Sequence, residues 1–437
     1  MNATQKEDMA TIFNGVKGAG VLDYVTAWYL KAAQYMQQAN TVTLSLSKGF
    51  ATKAAFVSTN SISQGEQVGI LWNELFNKYK IKIHFAHRTF SWSNEARGNA
   101  AVHVVIIGFA NFDADDKTVY EYEHIKGEPH ELKVKNINPY LVEGKDSFIN
   151  KRRKPINQVP EISFGSMPND GGYFLLDDEE RKKLINFEPR ASKYIKPLIS
   201  AHEFLNGENR WCIWLKNAAP NDLKSLKEIS QRINAVKLLR EKSTRDATKR
   251  LAQFPTLFGE IRQPNTDYIL IPRHSSENRN YIPFGYLTPN NIVSDSCSCI
   301  SNVTYFHLGI VMSRMHMVWI KTTCGRIKSD FRYSNELVYN NYPWPENPTS
   351  KQKEAVEKAA QVVLDARTQF LGASLADLYD PNTMPPVLVK AHQVLDKEVD
   401  LCYRSQPFTS ETKRIEFLFE LYDKYISGMF VKEKKKK

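Results

Sequence analysis

The run Ala-Val-His-Val-Val-Ile-Ile-Gly-Phe at 101–109 constrains the fold more than any other feature of this chain. It is nearly continuous in β-branched and apolar residues, so it reads as a strand buried on both faces rather than one that alternates core and solvent. Such a strand needs covering layers, and the preceding sequence supplies them. Leu22, Val25, Tyr29, Ala32 and Met36 recur at three- and four-residue spacing and form one apolar stripe on a helix. Residues 53–58 read as a short buried strand, 68–79 as a helix and 81–88 as a second strand. This alternation predicts parallel strands covered by helices, half of an α/β sheet ending near residue 115. Gly15, Gly18 and Gly20 resemble a phosphate-cradling loop, but no strand precedes them and no Lys-Ser/Thr or acidic partner follows in register, so they read as a flexible entry to the helix.

The pattern then changes. Residues 116–346 show short runs broken by Pro, Gly and Asn, rich in aromatics and without a sustained helical period, which predicts a mixed α+β domain. Thr349 with Gln352 makes a capping box, after which Val356, Ala359, Val363, Ala366 and Phe370 keep helical spacing; Ile415, Leu418, Tyr422 and Ile426 mark another helix. Residues 347–437 therefore read as a small helical domain with a basic tail. With 437 residues, 42% hydrophobic and 24% charged, wholesale disorder is excluded. No apolar run of membrane-spanning length and no export signal occur, and the five scattered cysteines, Cys212, Cys297, Cys299, Cys324 and Cys402, fit neither a disulfide framework nor a zinc knuckle. The expectation is a cytoplasmic protein with structural thiols and no metal. A formal charge of +11 leans toward an acidic partner without identifying it.

Chemistry concentrates after the second strand, where Phe90 and Trp92 precede the polar loop Ser93, Asn94, Glu95, Arg97 and Gly98. Aromatics at a strand end of an α/β sheet sit where ligands bind, and an aromatic face there can stack on a base taken out of a duplex. The strings GVKGAGVLDYVTAWYLKAAQY, AFVSTNSISQGEQVGILWNELF, HFAHRTFSWSNEARGNAAVHVVIIGF, YIPFGYL, GRIKSDFRYSNELVYNNYPWPE and GASLADLYDPNTMPPVLVKAH closely resemble the MmeI-like family of type II restriction-modification DNA adenine methyltransferases. The resemblance covers almost the whole chain. It implies the distal half of a Rossmann-like S-adenosylmethionine-dependent methyltransferase sheet at 1–115, a DNA target-recognition domain at 116–346 and the family's helical C-terminal domain. It also implies that Phe90 packs against the flipped adenine, with Trp92 as a second wall.

The departures matter as much. Members of this family hold the adenine amino group with an Asn-Pro-Pro-aromatic loop and the cofactor with a glycine-rich loop, and neither occurs here: Asn347-Pro348 continues with Thr, and Met384 precedes Pro385 and Pro386. The family's nuclease segment has no counterpart either. The expectation is a C-terminal portion that binds no S-adenosylmethionine alone, does not methylate alone, and is completed by an upstream polypeptide carrying the first half of the methyltransferase domain. A non-catalytic DNA-binding specificity module and a decayed remnant are the alternatives.

Duplex recognition needs cations on phosphates and a few polar side chains on base edges. Lys328 and Asp330 stand two apart on an extended segment and so share a face; a lysine suits guanine's major-groove acceptors and an aspartate the cytosine amino group, so the pair fits one G·C base pair. The resemblance places a variable specificity pair at this spot. Arg152, Arg153, Arg273, Arg279, Arg314 and Arg326 are candidates for the DNA backbone, and a solvated surface role is the alternative for each. Tyr333, Tyr339, Tyr342 and Trp344 read as packing between domains rather than as a single-strand stacking surface. Residues 41–52 look like a low-complexity insertion.

Overall fold

The computed structural model describes residues 1–43, 52–92, 102–327 and 329–434. The chain forms two compact units, one built from residues 1–157, 318–344 and 407–437 and the other from 158–317 and 345–406.

The first unit is organised by a five-stranded sheet. Its strands are β1 (Lys53–Thr59), β2 (Lys82–Trp92), β3 (Val102–Ala110), β4 (Lys117–Tyr122) and β5 (Pro129–Val134), in the order β1-β3-β2-β4-β5. The expectation of parallel neighbours is corrected here. β3 lies between β1 and β2 and is antiparallel to both, and only β2 and β4 pair in parallel. The link from β2 to β3 is too short for a crossover helix, so the chain returns antiparallel beside β2. Central position and two-sided burial, which the hydrophobic run reports, do not specify direction.

Helices α1 (Ala3–Ile12), α2 (Thr26–Thr43) and α3 (Glu66–Asn77) accompany this sheet. α2 starts after Leu22 and Val25, and its buried stripe runs through Tyr29, Leu30, Ala33 and Met36. Tyr29 stacks on Phe109 of β3 at 5.3 Å and its hydroxyl meets Ser58 Oγ at 2.9 Å, which satisfies the polar end of a fully buried ring. α3 buries Val68, Leu71, Trp72 and Leu75, and the Trp72 indole N–H donates to the Ile62 carbonyl. Gly108 is needed because the Phe85 ring lies across it, where a Cβ would stand 2.0 Å from a ring carbon.

Tyr333, Tyr339, Tyr342 and Trp344 are buried inside this same unit, around Trp319 and alongside the helix Glu411–Lys434. Trp319 in turn meets Phe419 and Tyr422 of that helix. Their packing is core formation within one unit.

The second unit holds two four-stranded sheets. In one, Tyr268–Pro272 is flanked by Gly285–Leu287 and Cys297–Ser301, with Ile162–Phe164 beyond; the other joins Ile292–Val293, Ile195–Ile199, Trp211–Ile213 and Leu175–Leu176. Around the second sheet, Phe174, Leu198, Ile213, Ile229 and Val236 form a shared core. The expectation of no sustained helical period in the middle region is corrected by Lys227–Glu241, a helix of 15 residues, and by the shorter helices Asp178–Phe187 and Tyr305–Met312; Ser350–Thr368 and Pro386–Tyr403 are helices in the region expected to be helical. The buried stripe of Lys227–Glu241 is Ile229, Val236 and Arg240, a helical spacing that ends on a charged residue and so escapes a hydrophobic pattern. Thr349 and Gln352 do cap each other reciprocally at the start of Ser350–Thr368. All five cysteines are buried free thiols; burial pushes Cys324 up to about 12 and Cys402 to about 11. Among the described residues no helix is long and apolar enough to cross a membrane, and no group of three or more His, Cys, Asp or Glu is placed to hold a metal.

Candidate nucleic-acid interface

A β-bulge decides where the aromatics of β2 point. In a regular strand His87 and Phe90, three residues apart, would face opposite sides of the sheet. The register between β2 and β3 shifts between these two residues, and the extra residue turns Phe90 onto the side that carries His87. The ring centroids of His87 and Phe90 are then 6.1 Å apart, and those of Phe90 and Trp92 6.0 Å.

The parallel neighbour β4 completes a shelf. Tyr120 lies flat against His87 at 4.1 Å with 7° between planes, and Tyr122 stacks on Phe90 at 5.1 Å and 18°. His87 Nδ1 and the Tyr122 hydroxyl are 2.8 Å apart, so the imidazole fixes the ring that backs Phe90. Burial lowers the His87 pKa, which keeps the imidazole neutral at pH 7 and leaves one ring nitrogen able to accept the phenol proton. Trp92 stands at the open end of the shelf, 45% exposed. Phe90 is thus half-buried, braced on one side by Tyr122, on a platform suited to stacking. The polar loop at 93–101, with Asn94, Glu95, Arg97 and Gly98, lies outside the described residues.

Of the expected base-reading pair, Asp330 begins the second strand of a short hairpin. Gly325–Ile327 and Asp330–Arg332 pair antiparallel, with Ile327 opposite Asp330. Asp330 is exposed, and Lys328 lies outside the described residues. Arg326 lies over the Phe331 ring at 4.1 Å and donates to the Ser329 carbonyl, so it braces the hairpin. The hairpin base passes close to the start of α3: a Cβ at Gly65, whose φ is +71°, would lie 2.9 Å from Gly325 Cα.

The remaining arginines divide by environment. Arg152 donates from Nε to Asn341 Oδ1, and its carbonyl accepts from Asn340, so Asn340 and Asn341 pin this basic loop; Lys151 pairs with Glu66 at 2.7 Å, and Arg153 is exposed. Arg273 lies over Phe164 and donates to the Asp295 carbonyl, and Arg279 donates to Ser275 Oγ. Arg314 lies over Tyr281 and donates to its hydroxyl, while its backbone N–H donates to Asp396. Arg273, Arg279, Arg314 and Arg326 thus have contacts within the chain that a phosphate would have to share. Sequence reading missed His87, Tyr120 and Tyr122. The signal was the alternation Thr118-Val-Tyr120-Glu-Tyr122 in the strand after β3, but only the pairing of β2 with β4 brings it beside Phe90.

Comparison with known proteins decides the family. The sequence matches the MmeI DNA-methyltransferase domain over 1–121, the MmeI target recognition domain over 143–346 and the MmeI C-terminal domain over 348–430. The chain belongs to the MmeI family. It is 43% identical over 421 residues to DNA methyltransferase A of Bacillus subtilis (strain 168), an alignment covering 96% of this chain and 46% of that protein. It also matches a solved structure of the type IIL restriction-modification enzyme MmeI in complex with DNA, with a TM-score of 0.82 and 46% identity, over 98% of this chain and 55% of that one. The chain spans about half the length of both relatives. Its fold is the family's: an α/β methyltransferase portion, then a target-recognition domain, then a helical C-terminal domain.

Proposed function

We propose that this chain supplies the adenine-stacking wall and the target-recognition part of a site-specific, S-adenosylmethionine-dependent DNA adenine-N6 methyltransferase of a restriction-modification system. The observation that carries the reading is Phe90, held at the end of β2 by Tyr122 and followed by the exposed Trp92, in a chain that matches the family's methyltransferase and recognition domains. A base swung out of a duplex loses its stacking partners, and an aromatic platform already fixed in orientation replaces part of that loss. Asp330, with Lys328, provides hydrogen-bonding groups suited to a base-pair edge.

The cofactor would supply the electrophilic methyl group. The residues of this chain do not form its cradle: Gly15, Gly18 and Gly20 follow α1 and enter a 3-10 turn at Ala19–Val21, without a strand whose end could present a loop to a nucleotide. No step of methyl transfer is therefore assigned to these residues. The reading calls for a complementing polypeptide that carries the glycine-rich loop and Asn-Pro-Pro-aromatic. β1 forms one edge of the described sheet, with Val57 of that strand 48% exposed, which suits pairing with a further strand.

The test is methylation of duplex DNA by the purified chain with and without such a polypeptide, followed by nucleoside analysis. N6-methyladenine only with both components supports the reading; methylation by the chain alone, or a methylated cytosine, overturns it. A non-catalytic specificity subunit is the second reading, favoured by the lack of an Asn-Pro-Pro-aromatic tetrapeptide.

A further inference from the structure

Within the second unit, the helices Lys227–Glu241 and Asp246–Leu251 form a tight pair whose connecting turn is unusually basic. Lys242, Arg245, Lys249 and Arg250 fall in the nine residues 242–250, and all four are exposed. Among the described residues their side chains engage no hydrogen bond or ion pair with the chain. That sets them apart from Arg273, Arg279, Arg314 and Arg326.

The support beneath them is rigid. Arg240, fully buried, donates to the carbonyls of Pro168, Asn169, Leu251, Phe254 and Leu257 at 2.8–3.2 Å, which ties both helices and the following turn to the body of the unit. Beside the turn, Lys237, Glu241, Lys249, Ala252, Gln253 and Pro255 line a recess of about 510 Å³.

We propose that this helix pair is a sequence-independent anchor for the sugar-phosphate backbone of duplex DNA. The inference rests on the reading that the chain binds DNA, and goes beyond it by locating the phosphate contacts. Unpaired, exposed cations on a fixed support can replace condensed counterions without first breaking internal contacts, and the gain is the same for every sequence.

The experiment uses the full chain and a random-sequence duplex, with Kd measured in steps from about 50 to about 300 mM KCl; each phosphate contact contributes ~0.9 to the slope of log K against log salt. The variant Lys242→Gln, Arg245→Gln, Lys249→Gln, Arg250→Gln is expected to lower the slope of log K against log salt by about 3.6 and to weaken low-salt binding by about tenfold or more, equally for all sequences. A control removing four exposed charges elsewhere in the unit, Lys351→Gln, Lys358→Gln, Lys390→Gln and Lys397→Gln, is expected to bind as the parent does. The pairs Lys242→Gln with Arg245→Gln and Lys249→Gln with Arg250→Gln, each expected to lower the slope by about 2, replace the fourfold variant if it does not fold. An unchanged slope, or an equal loss in the control, overturns the anchor while leaving DNA binding intact. No binding by the parent chain overturns the functional reading and the anchor together.

Discussion

At the scale of single residues, the proposed stacking platform separates side chains that would touch the base from those that would hold them in place. Phe90 and Trp92 are proposed to touch the base; Tyr122 holds Phe90, and His87 holds Tyr122. Removing the Tyr122 ring leaves a gap behind Phe90, whereas removing only its hydroxyl keeps the stack and loses the hydrogen bond. In the complemented enzyme, Phe90→Ala and Tyr122→Ala are each predicted to lower kcat/KM by about tenfold or more, in line with ~1–3 kcal/mol for a base–aromatic stack. Tyr122→Phe is predicted to keep most of the activity. A 2-aminopurine at the target position should report the lost stack as a flipped-state fluorescence that differs from the parent's in both alanine variants and matches the parent's in Tyr122→Phe. Equal activity in Tyr122→Ala and the parent would remove Tyr122 from this role. The place of Phe90 near a strand end was legible from the sequence, although β2 continues past the expected end at residue 88 to Trp92. The orientation of Phe90 was not legible, because a bulge of one residue leaves no mark in a hydrophobic pattern and yet decides which face a side chain takes.

At the scale of elements, one contact joins the start of Arg314–Thr323 to Pro386–Tyr403. The Asp396 carboxylate accepts from the Arg314 backbone N–H at 2.6 Å and from the Tyr281 hydroxyl at 2.6 Å, while Tyr281 stacks on His392 at 4.0 Å. Burial pushes the Asp396 pKa up to about 6, against the hydrogen bonds and the Arg314 charge that pull it down. Because the folded-state value is raised, the stability this group contributes is complete at low pH and is lost as pH rises through about 6. The loss amounts to roughly 3 kcal/mol for a shift of about two units. His392 and His316, whose pKa values burial lowers, act in the opposite direction over the same range. Comparing Asp396→Asn with the parent isolates the carboxylate: its unfolding free energy relative to the parent is predicted to rise by roughly 3 kcal/mol between pH 4 and pH 7. Urea unfolding at both pH values checks this, and a difference independent of pH would contradict it. Elements that bury a plain apolar stripe, such as α3 and Ser350–Thr368, were legible from spacing. Lys227–Glu241 was not, because its stripe ends on Arg240, and a buried arginine satisfied by five carbonyls has the same letter as a solvated one.

At the scale of the whole molecule, the alternation of helical and β-branched segments gave the α/β character of the first unit, and long specific strings gave the family. Strand order and direction came only with the structure, since β3 is central and antiparallel to both neighbours. The interior placement of Tyr333, Tyr339, Tyr342 and Trp344 depends on partners such as Phe419, distant in sequence, and no local pattern reports that. The central claim is that this chain reads a specific DNA sequence. The most direct test is selection of bound duplexes from a randomised pool by the purified chain, repeated with Lys328→Ala and Asp330→Ala together. The account predicts enrichment of one motif, relaxed at a single G·C pair in the double variant; a pool that stays random after repeated selection would contradict it.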